Sequence, residues 1–296
     1  MKKYVSMDIG GTAIKYGLLD EEGRILQKSQ RDTEAWKGGP AILEKALEIV
    51  REYEKEHQLS GVCISTAGMV DTQEGRIFYA APLIPNYAGT NFKEAFQKEL
   101  GLPCEVENDV NCAGLAEAVS GAAQGSQIAL MLTVGTGIGG CLILNGEVYH
   151  GYSGSACEVG YMHLEDSDFQ TLGAASILTQ KVAARKGAAP EQWDGRRIFE
   201  AAGNGDPVCR KAIEEMAEVL GKGIANVCYV LNPQTVVLGG GIMAREEYLK
   251  PLIEKAVRKY LVSGIAEKTQ IVFARHRNDA GILGAFYHFK KKAEVK

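Results

Sequence analysis

The chain opens on a run of apolar, β-favouring residues, YVSMDI (4–9), which predicts a strand ending at Gly10-Gly11-Thr12. Stretches 14–20 and 24–30 predict two more strands, divided by the turn Glu21-Glu22-Gly23. Between 40 and 57 the pattern changes. Ile42, Leu43, Ala46, Leu47, Ile49, Val50 and Tyr53 fall at helical spacing. A short strand at 61–66 ends in Ala67-Gly68, and 69–90 is turn-rich around Pro82 and Pro85. A helix is expected over 91–100, a strand over 103–107 ending at Glu107-Asn108-Asp109, and a small-residue helix over 110–122. QIALMLTV (127–134) predicts a buried strand that enters the glycine turn GTGIGG (135–140). CLILNGEVYHG then predicts a hairpin around Asn145-Gly146. Residues 151–173 read as irregular. Helical spacing returns over 174–186, 195–203, 207–231 and 245–261; the 207–231 helix is apolar on more than one face, which suits burial or a partner. TVVLGGG (235–241) and IVFA (271–274) predict strands, and 280–291 a last helix with a frayed tail, KKKAEVK.

Two stretches share one pattern. MDIGGTAIKYGLLDEEGRI (7–25) and TVGTGIGGCLILNGEV (133–148) each read strand, Gly/Thr turn, strand, tight turn, strand. The duplication predicts an α/β chain of two similar halves, 1–120 (rejoined by 280–296) and 121–279. A ligand is expected between them, with one glycine turn from each half facing it.

Composition narrows the classes. With 46% hydrophobic and 24% charged residues, the 296-residue chain is neither low-complexity nor collagen-like. Lys+Arg 33 against Asp+Glu 37 gives −4, which sets nucleic acid and anionic membranes aside as partners. MKKYVSMDIGG has no apolar signal region, and no apolar run approaches the ~20 residues that span a bilayer. Seven widely spaced cysteines without a C-x-x-C predict reduced thiols of a cytoplasmic protein, with no disulfide framework and no zinc site built of cysteine. Glycine is in excess, 35 residues where average usage of ~7% gives about 21, and the excess gathers in the turns.

Those turns carry the candidate chemistry. A Gly/Thr turn after a buried strand exposes backbone N–H groups with no Cβ in the way, a nest for phosphate oxygens. Gly10, Gly11 and Thr12 form one, Gly135, Thr136 and Gly137 the other, and the pair could clamp a nucleotide's β- and γ-phosphates. Asp8, at the end of the first strand, is placed to hold Mg²⁺ directly or through water, and Lys15 to neutralise phosphate charge. Gly239, Gly240 and Gly241 permit close approach of a flat ligand such as adenine, or make a plain strand-to-helix turn. No Walker A sequence is present, and Gly135-x-Gly137-x-x-Gly140 precedes a strand rather than a helix, so it is not a dinucleotide fingerprint. Asn108 and Asp109 are both favoured helix caps. They also suit a polyol nucleophile, with Asp109 taking the proton while Asn108 holds a neighbouring hydroxyl. Glu158 is either a surface residue or a bidentate ligand for ring hydroxyls.

These residues resemble the ROK family of sugar kinases and repressors, within the actin/hexokinase/Hsp70 superfamily, over essentially the whole chain. Asp8 to Lys15 fits D-x-G-G-T-x-x-K, Glu107 to Asn111 fits E-N-D-x-N, and Thr133 to Gly140 fits the second phosphate loop. Leu231-Asn232-Pro233 followed by Val237 to Gly241 fits the adenosine segment. The resemblance implies duplicated ribonuclease H-like domains with a cleft between them. It further implies ATP with Mg²⁺, Asp109 as general base, a homodimer, and a sugar held by Gly68, Asn108, Asp109, Glu158 and Tyr161. The departures are specific. The family's E-x-G-H reads Glu158-Val159-Gly160-Tyr161, and its zinc cysteines are absent from HLEDSDFQTLGAAS (163–176), where His163 stands alone. Leu172-Gly173 stands near the place of the usual second sugar-binding glutamate. The E-x-G-Y-M stretch resembles the zinc-free β-glucoside kinases, which implies an anomeric side open to a larger aglycone. N-acetylmannosamine kinase and glucokinase are alternatives within the family. The repressor branch carries a helix-turn-helix ahead of the first phosphate motif, for which a motif beginning at Asp8 leaves no room. A chaperone-like ATPase is disfavoured by the intact Asn108-Asp109 pair.

Overall fold

The first apolar run forms β1 (Lys3–Ile9), which pairs antiparallel with β2 (Ala13–Asp20); β2 pairs antiparallel with β3 (Ile25–Asp32). The computed structural model describes residues 2–80 and 84–294; Pro82 of the turn-rich stretch and Val295 and Lys296 of the tail lie outside the described residues. Helix α1 (Gly39–Glu54) buries Ile42, Ala46, Leu47, Ile49 and Val50, the stripe its spacing predicts. The fully buried β4 (Gly61–Thr66) adds parallel to β1. A short hairpin follows, β5 (Met69–Asp71) and β6 (Arg76–Tyr79), where the sequence predicts only turns. Strands of three and four residues are too brief to leave a period. Helix α2 (Phe92–Leu100) is capped by the Asn91 side chain and buries Phe92 and Phe96. Then β7 (Cys104–Asn108) adds parallel to β4 and runs directly into α3 (Asp109–Ser120).

The sheet order is β3-β2-β1-β4-β7. Its register sets Asp8, Ser65 and Glu107 in one row and Ile9, Thr66 and Asn108 in the next. Successive residues of a strand point to opposite faces. The polar residues therefore gather at the C-terminal ends of three neighbouring strands, the end at which α/β sheets bind ligands.

The same order recurs later in the chain. The strands β8 (Ile128–Val134), β9 (Ile138–Leu144) and β10 (Glu147–Val148) form an antiparallel meander. The stretch expected to be irregular holds a small hairpin, β11 (His163–Leu164) with β12 (Ser167–Asp168), and the short helix α4 (Phe169–Gly173). Helices α5 (Ala175–Arg185), α6 (Gly195–Gly203) and α7 (Pro207–Leu231) lead to β13 (Thr235–Gly239), parallel to β8. Helices α8 (Glu246–Tyr260) and α9 (Ser263–Ala266) lead to β14 (Gln270–Phe273), and the order is β10-β9-β8-β13-β14. Helix α7 packs on α4, α5, α6 and α8, which accounts for its several apolar faces within the chain.

Helix α1 ends three residues early and the last helix runs to Glu294, into the tail expected to fray, and two glycine-rich stretches also have boundaries other than expected. Ile138 already pairs with Val134, so the second glycine turn is only Gly135-Thr136-Gly137, and Gly139 and Gly140 continue β9. A Cβ on Gly140 would stand 2.6 Å from the Cys157 carbonyl, so this glycine admits a neighbouring segment rather than a turn. The strand predicted over 235–241 stops at Gly239. Gly240 has φ +104°, and a Cβ there would stand 2.2 Å from the Val134 carbonyl. Only glycine takes that turn at that distance.

The last helix, α10 (Ala280–Glu294), lies on β1, β4 and β7. Ser6 Oγ donates to the Ile282 carbonyl at 2.6 Å. The chain divides into two compact units, Met1–Val119 with His150–Ser155 and Asn278–Lys296, and Ser120–Tyr149 with Ala156–Arg277. Among the described residues no helix is long and apolar enough to cross a membrane.

Candidate active site

The β7–α3 junction is built by Asn108. Its Oδ1 accepts the backbone N–H groups of Val110 (2.9 Å) and Asn111 (3.1 Å), and its Nδ2 donates to the Gly68 carbonyl (2.9 Å). Gly68, at φ +98°, lies so close to β6 that a Cβ would stand 2.8 Å from the Tyr79 carbonyl. The side chain that caps α3 is that of Asn108. Asp109 becomes the first helical residue, half-buried, its Oδ1 accepting the Val110 N–H at 2.9 Å. The start of a helix favours negative charge. Gly68, Asn108 and Asp109 are thus brought together within the first unit.

Behind this pair lies Glu107, only 1% exposed. Its Oε1 accepts the Asn108 N–H (2.8 Å) and the Asn111 Nδ2 amide (3.0 Å). Its Oε2 accepts from His150 Nε2 (2.6 Å) and lies 3.4 Å from His288 Nδ1. Burial alone would push this carboxyl up; the His150 hydrogen bond, the charges of both histidines and the Asn111 amide leave it below its ordinary value. Burial pushes the His288 imidazole down, against the pull of Glu107. Both folded-state values lie below their unfolded ones, so the unfolded chain binds more protons and acid favours it. The His288 contribution is fully present above its ordinary value of 6.5 and is lost as pH falls through the lowered one. The Glu107 contribution follows below its ordinary 4.5. His288→Asn keeps a donor near Nδ1 and removes the titrating ring. Its melting temperature should fall less between pH 7 and pH 5 than that of the unaltered chain. Thermal unfolding at three pH values checks this, and parallel curves would refute it.

Asp8 shares the row of Glu107 and accepts from Ser65 Oγ at 2.8 Å. Burial raises its carboxyl, with Ser65 and Lys15 acting against the rise. Gly281 of α10 covers it; a Cβ there would stand 2.3 Å from Asp8 Cγ. Glu107, in the same row, is taken up by protein donors, and the one remaining half-buried carboxylate fits Mg²⁺, which keeps most of its waters and shares phosphate oxygens. Lys15, opposite Asp8 in β2, donates to Asn278 Oδ1 at 3.1 Å. In the turn itself, Gly11 and Thr12 are exposed. Thr33 Oγ1 donates to the Gly10 carbonyl (2.6 Å) and the Thr33 N–H to the Thr12 carbonyl (2.9 Å).

The second turn is tied down in the same way. Ser176 Oγ donates to the Thr136 carbonyl (2.6 Å) and the Ser176 N–H to the Gly135 carbonyl (3.3 Å). Nothing in the sequence marks Thr33 and Ser176, because hydroxyl residues 21 to 41 positions away carry no motif. Gly135, Thr136 and Gly241 line one cleft of about 710 Å³ in the second unit, with Thr179, Arg196 and Arg245. Gly239 and Gly240 shape the backbone behind Gly241 rather than lining the cleft.

Glu158 precedes a single 3-10 turn, Val159–Tyr161, and its carbonyl accepts the Tyr161 N–H at 3.2 Å. Glu158 is exposed, yet its surroundings shield the carboxyl enough to raise it. Tyr161 is 54% exposed. Gln170, which sequence reasoning missed, lies between this stretch and the Gly135-Thr136-Gly137 turn. A Cβ on Gly137 would stand 2.6 Å from Gln170 Oε1, and one on Gly160 3.0 Å from the same atom. Leu172 packs against the apolar core of the second unit, and His163 pairs with Asp168 in the β11–β12 hairpin.

The model of the ROK family matches residues 4–292. The chain is 33% identical to a beta-glucoside kinase of Klebsiella pneumoniae over 300 residues, covering 98% of this chain and 96% of the relative. It is 28% identical to a glucokinase of Thermotoga maritima, covering 98% of each. Among solved structures, a ROK family glucokinase from Streptomyces griseus in complex with glucose and AMPPNP superposes with a TM-score of 0.84 at 28% identity, covering 97% of this chain and 98% of that one. A match that begins in β1 and ends in α10 takes in both sheets and every strand-end motif between them, and the chain belongs to the ROK family.

Proposed function

We propose that this chain is an ATP-dependent sugar kinase that transfers the γ-phosphoryl group to a primary O6 hydroxyl of a hexose unit, with β-glucosides as its substrates. The observation that carries the reading is the β7–α3 junction. Asn108 supplies the cap with its side chain, so the helix start does not need the Asp109 carboxylate for it. Phosphoryl transfer asks little more of a protein than in-line positioning, charge neutralisation and a base for the attacking hydroxyl. Asp109 accepts the O6 proton, O6 forms the new bond to the γ-phosphorus, and the bond to the β–γ bridging oxygen breaks to release ADP. Asn108 and the Gly68 backbone orient the sugar, and Glu158 and Tyr161 are assigned to its ring hydroxyls by the family resemblance.

Gly10 to Thr12 and Gly135 to Gly137 hold phosphate oxygens, with Lys15 adding positive charge. The cleft that joins Gly135 and Thr136 to Gly241 supports placing the nucleotide there. Mg²⁺, when bound, neutralises phosphate charge, and Asp8 would hold it through water. The β-glucoside assignment rests on Glu158-Val159-Gly160-Tyr161-Met162 and on Leu172 standing in apolar packing. Identity to the beta-glucoside kinase supports it.

ADP release with Mg-ATP against glucose, mannose, N-acetylmannosamine, N-acetylglucosamine, cellobiose, gentiobiose and arbutin tests the assignment. Turnover should be strongest on cellobiose, gentiobiose and arbutin. Turnover confined to glucose would make the chain a glucokinase, and turnover confined to N-acetylmannosamine would make it a kinase of that sugar. No turnover on any sugar would overturn the kinase reading.

A further inference from the structure

We propose that Glu107, gripped by His150 and His288, is a positioning residue for the transfer step, fixing the direction in which the Asn108-Asp109 pair presents itself. The inference rests on the kinase reading above; it gives a role to the glutamate of E-N-D-x-N and adds His150 and His288, which lie in none of the motifs. Its basis is the filling of one carboxylate. Oε1 takes the Asn108 N–H and the Asn111 amide, and Oε2 takes His150 Nε2 with His288 Nδ1 beside it. A carboxylate has about four acceptor sites, and here each faces a nitrogen. The Asn108 N–H bond fixes the peptide plane that enters the cap, and the Asn111 bond fixes the first turn of α3. Between them stands Asp109.

Space filling does not account for such a group, since a buried ionic cluster is commonly replaced by apolar residues without loss of stability. The elements packed around Glu107 bring His150 of the His150–Ser155 segment, His288 of α10 and Cys112 of α3 to it, and Lys292 of α10 and Glu105 of β7 act in turn on His288. His150 is the accessible member, its side chain 30% exposed, so its replacement should leave the chain folded.

The test compares His150→Ala and His150→Gln, with melting curves for both. Alanine removes the donor to Oε2; the glutamine amide restores a donor of similar reach. The expected result for H150A is a kcat about 10-fold lower on the best sugar, with KM for sugar and ATP within about 3-fold, because misdirection of the base penalises the transition state rather than binding. H150Q should recover most of that loss. A kcat for H150A within 2-fold of the unaltered enzyme would overturn the inference, and so would equal losses in H150A and H150Q. An unaltered chain that phosphorylates no sugar would overturn the kinase reading and this inference with it, so the two failures are distinguishable. Glu107→Gln serves as the second variant. It keeps the Oε1 acceptor and turns an N–H toward His150, and its kcat should fall at least as far as that of H150A, whereas an unchanged kcat would count against the inference.

Discussion

Asp109→Asn should lower kcat by about a thousand-fold while leaving KM for the sugar within about 3-fold. A positioned general base contributes ~10²–10⁴ to such a step, and an amide cannot accept the O6 proton. The substitution is otherwise mild. The three hydrogen bonds that build the junction belong to Asn108, and an asparagine carbonyl at 109 still accepts the Val110 N–H. Melting temperature should therefore stay close to that of the unaltered chain. ADP release over a range of sugar concentrations reads kcat and KM together. A kcat reduced less than 10-fold would remove Asp109 from the role of base. A KM raised in step with the loss of kcat would make it a binding residue instead.

The second large effect falls on the fold. Gly284 lies inside α10, where alanine would ordinarily be favoured over glycine by about 1 kcal/mol. Here the sign reverses. A Cβ at 284 would stand 1.8 Å from the Cys112 carbonyl oxygen and 2.3 Å from its carbon. Both atoms belong to the backbone of α3, so no rotamer change relieves the clash. Gly284→Ala should cost about 3 kcal/mol, the upper end of overpacking penalties, and lower the melting temperature by several degrees or more. Gly203 in α6 is the control. A Cβ there meets nothing within 4 Å, and Gly203→Ala should leave stability unchanged or slightly raised. Equal behaviour of the two variants in denaturant titrations would show that α10 does not approach α3 as closely as the structure has it.

The same close approach explains what was hard to see beforehand. Gly281 and Gly284 read as ordinary glycines in a helical pattern, and nothing near them in the chain marks them. Their meaning comes from Asp8 and Cys112, which lie more than 170 positions away. The hairpin of β5 and β6 and the Gln170 contact were hidden for related reasons. The hairpin is too short to show alternation, and the contact has no spacing rule behind it. The cap shows the opposite case, since Asn108 and Asp109 were both visible as candidates and only the hydrogen bonds assigned the cap to one of them.

By itself, the sequence determined the repeated strand–turn–strand units, the order of the longer strands and helices, and the Gly/Thr turns with Asp8 ahead of the first. These are local properties: side-chain periodicity and the φ freedom of glycine act over a few residues, so a short window carries them. Only the tertiary structure decided that Asp8, Ser65 and Glu107 share a row, that His150 and His288 close on one carboxylate, and that Thr33 and Ser176 each tie down a turn. Those depend on strand register and on a helix arriving from the end of the chain. A one-residue shift in register would send Asp8, Ser65 or Glu107 to the other face, and no local pattern encodes it.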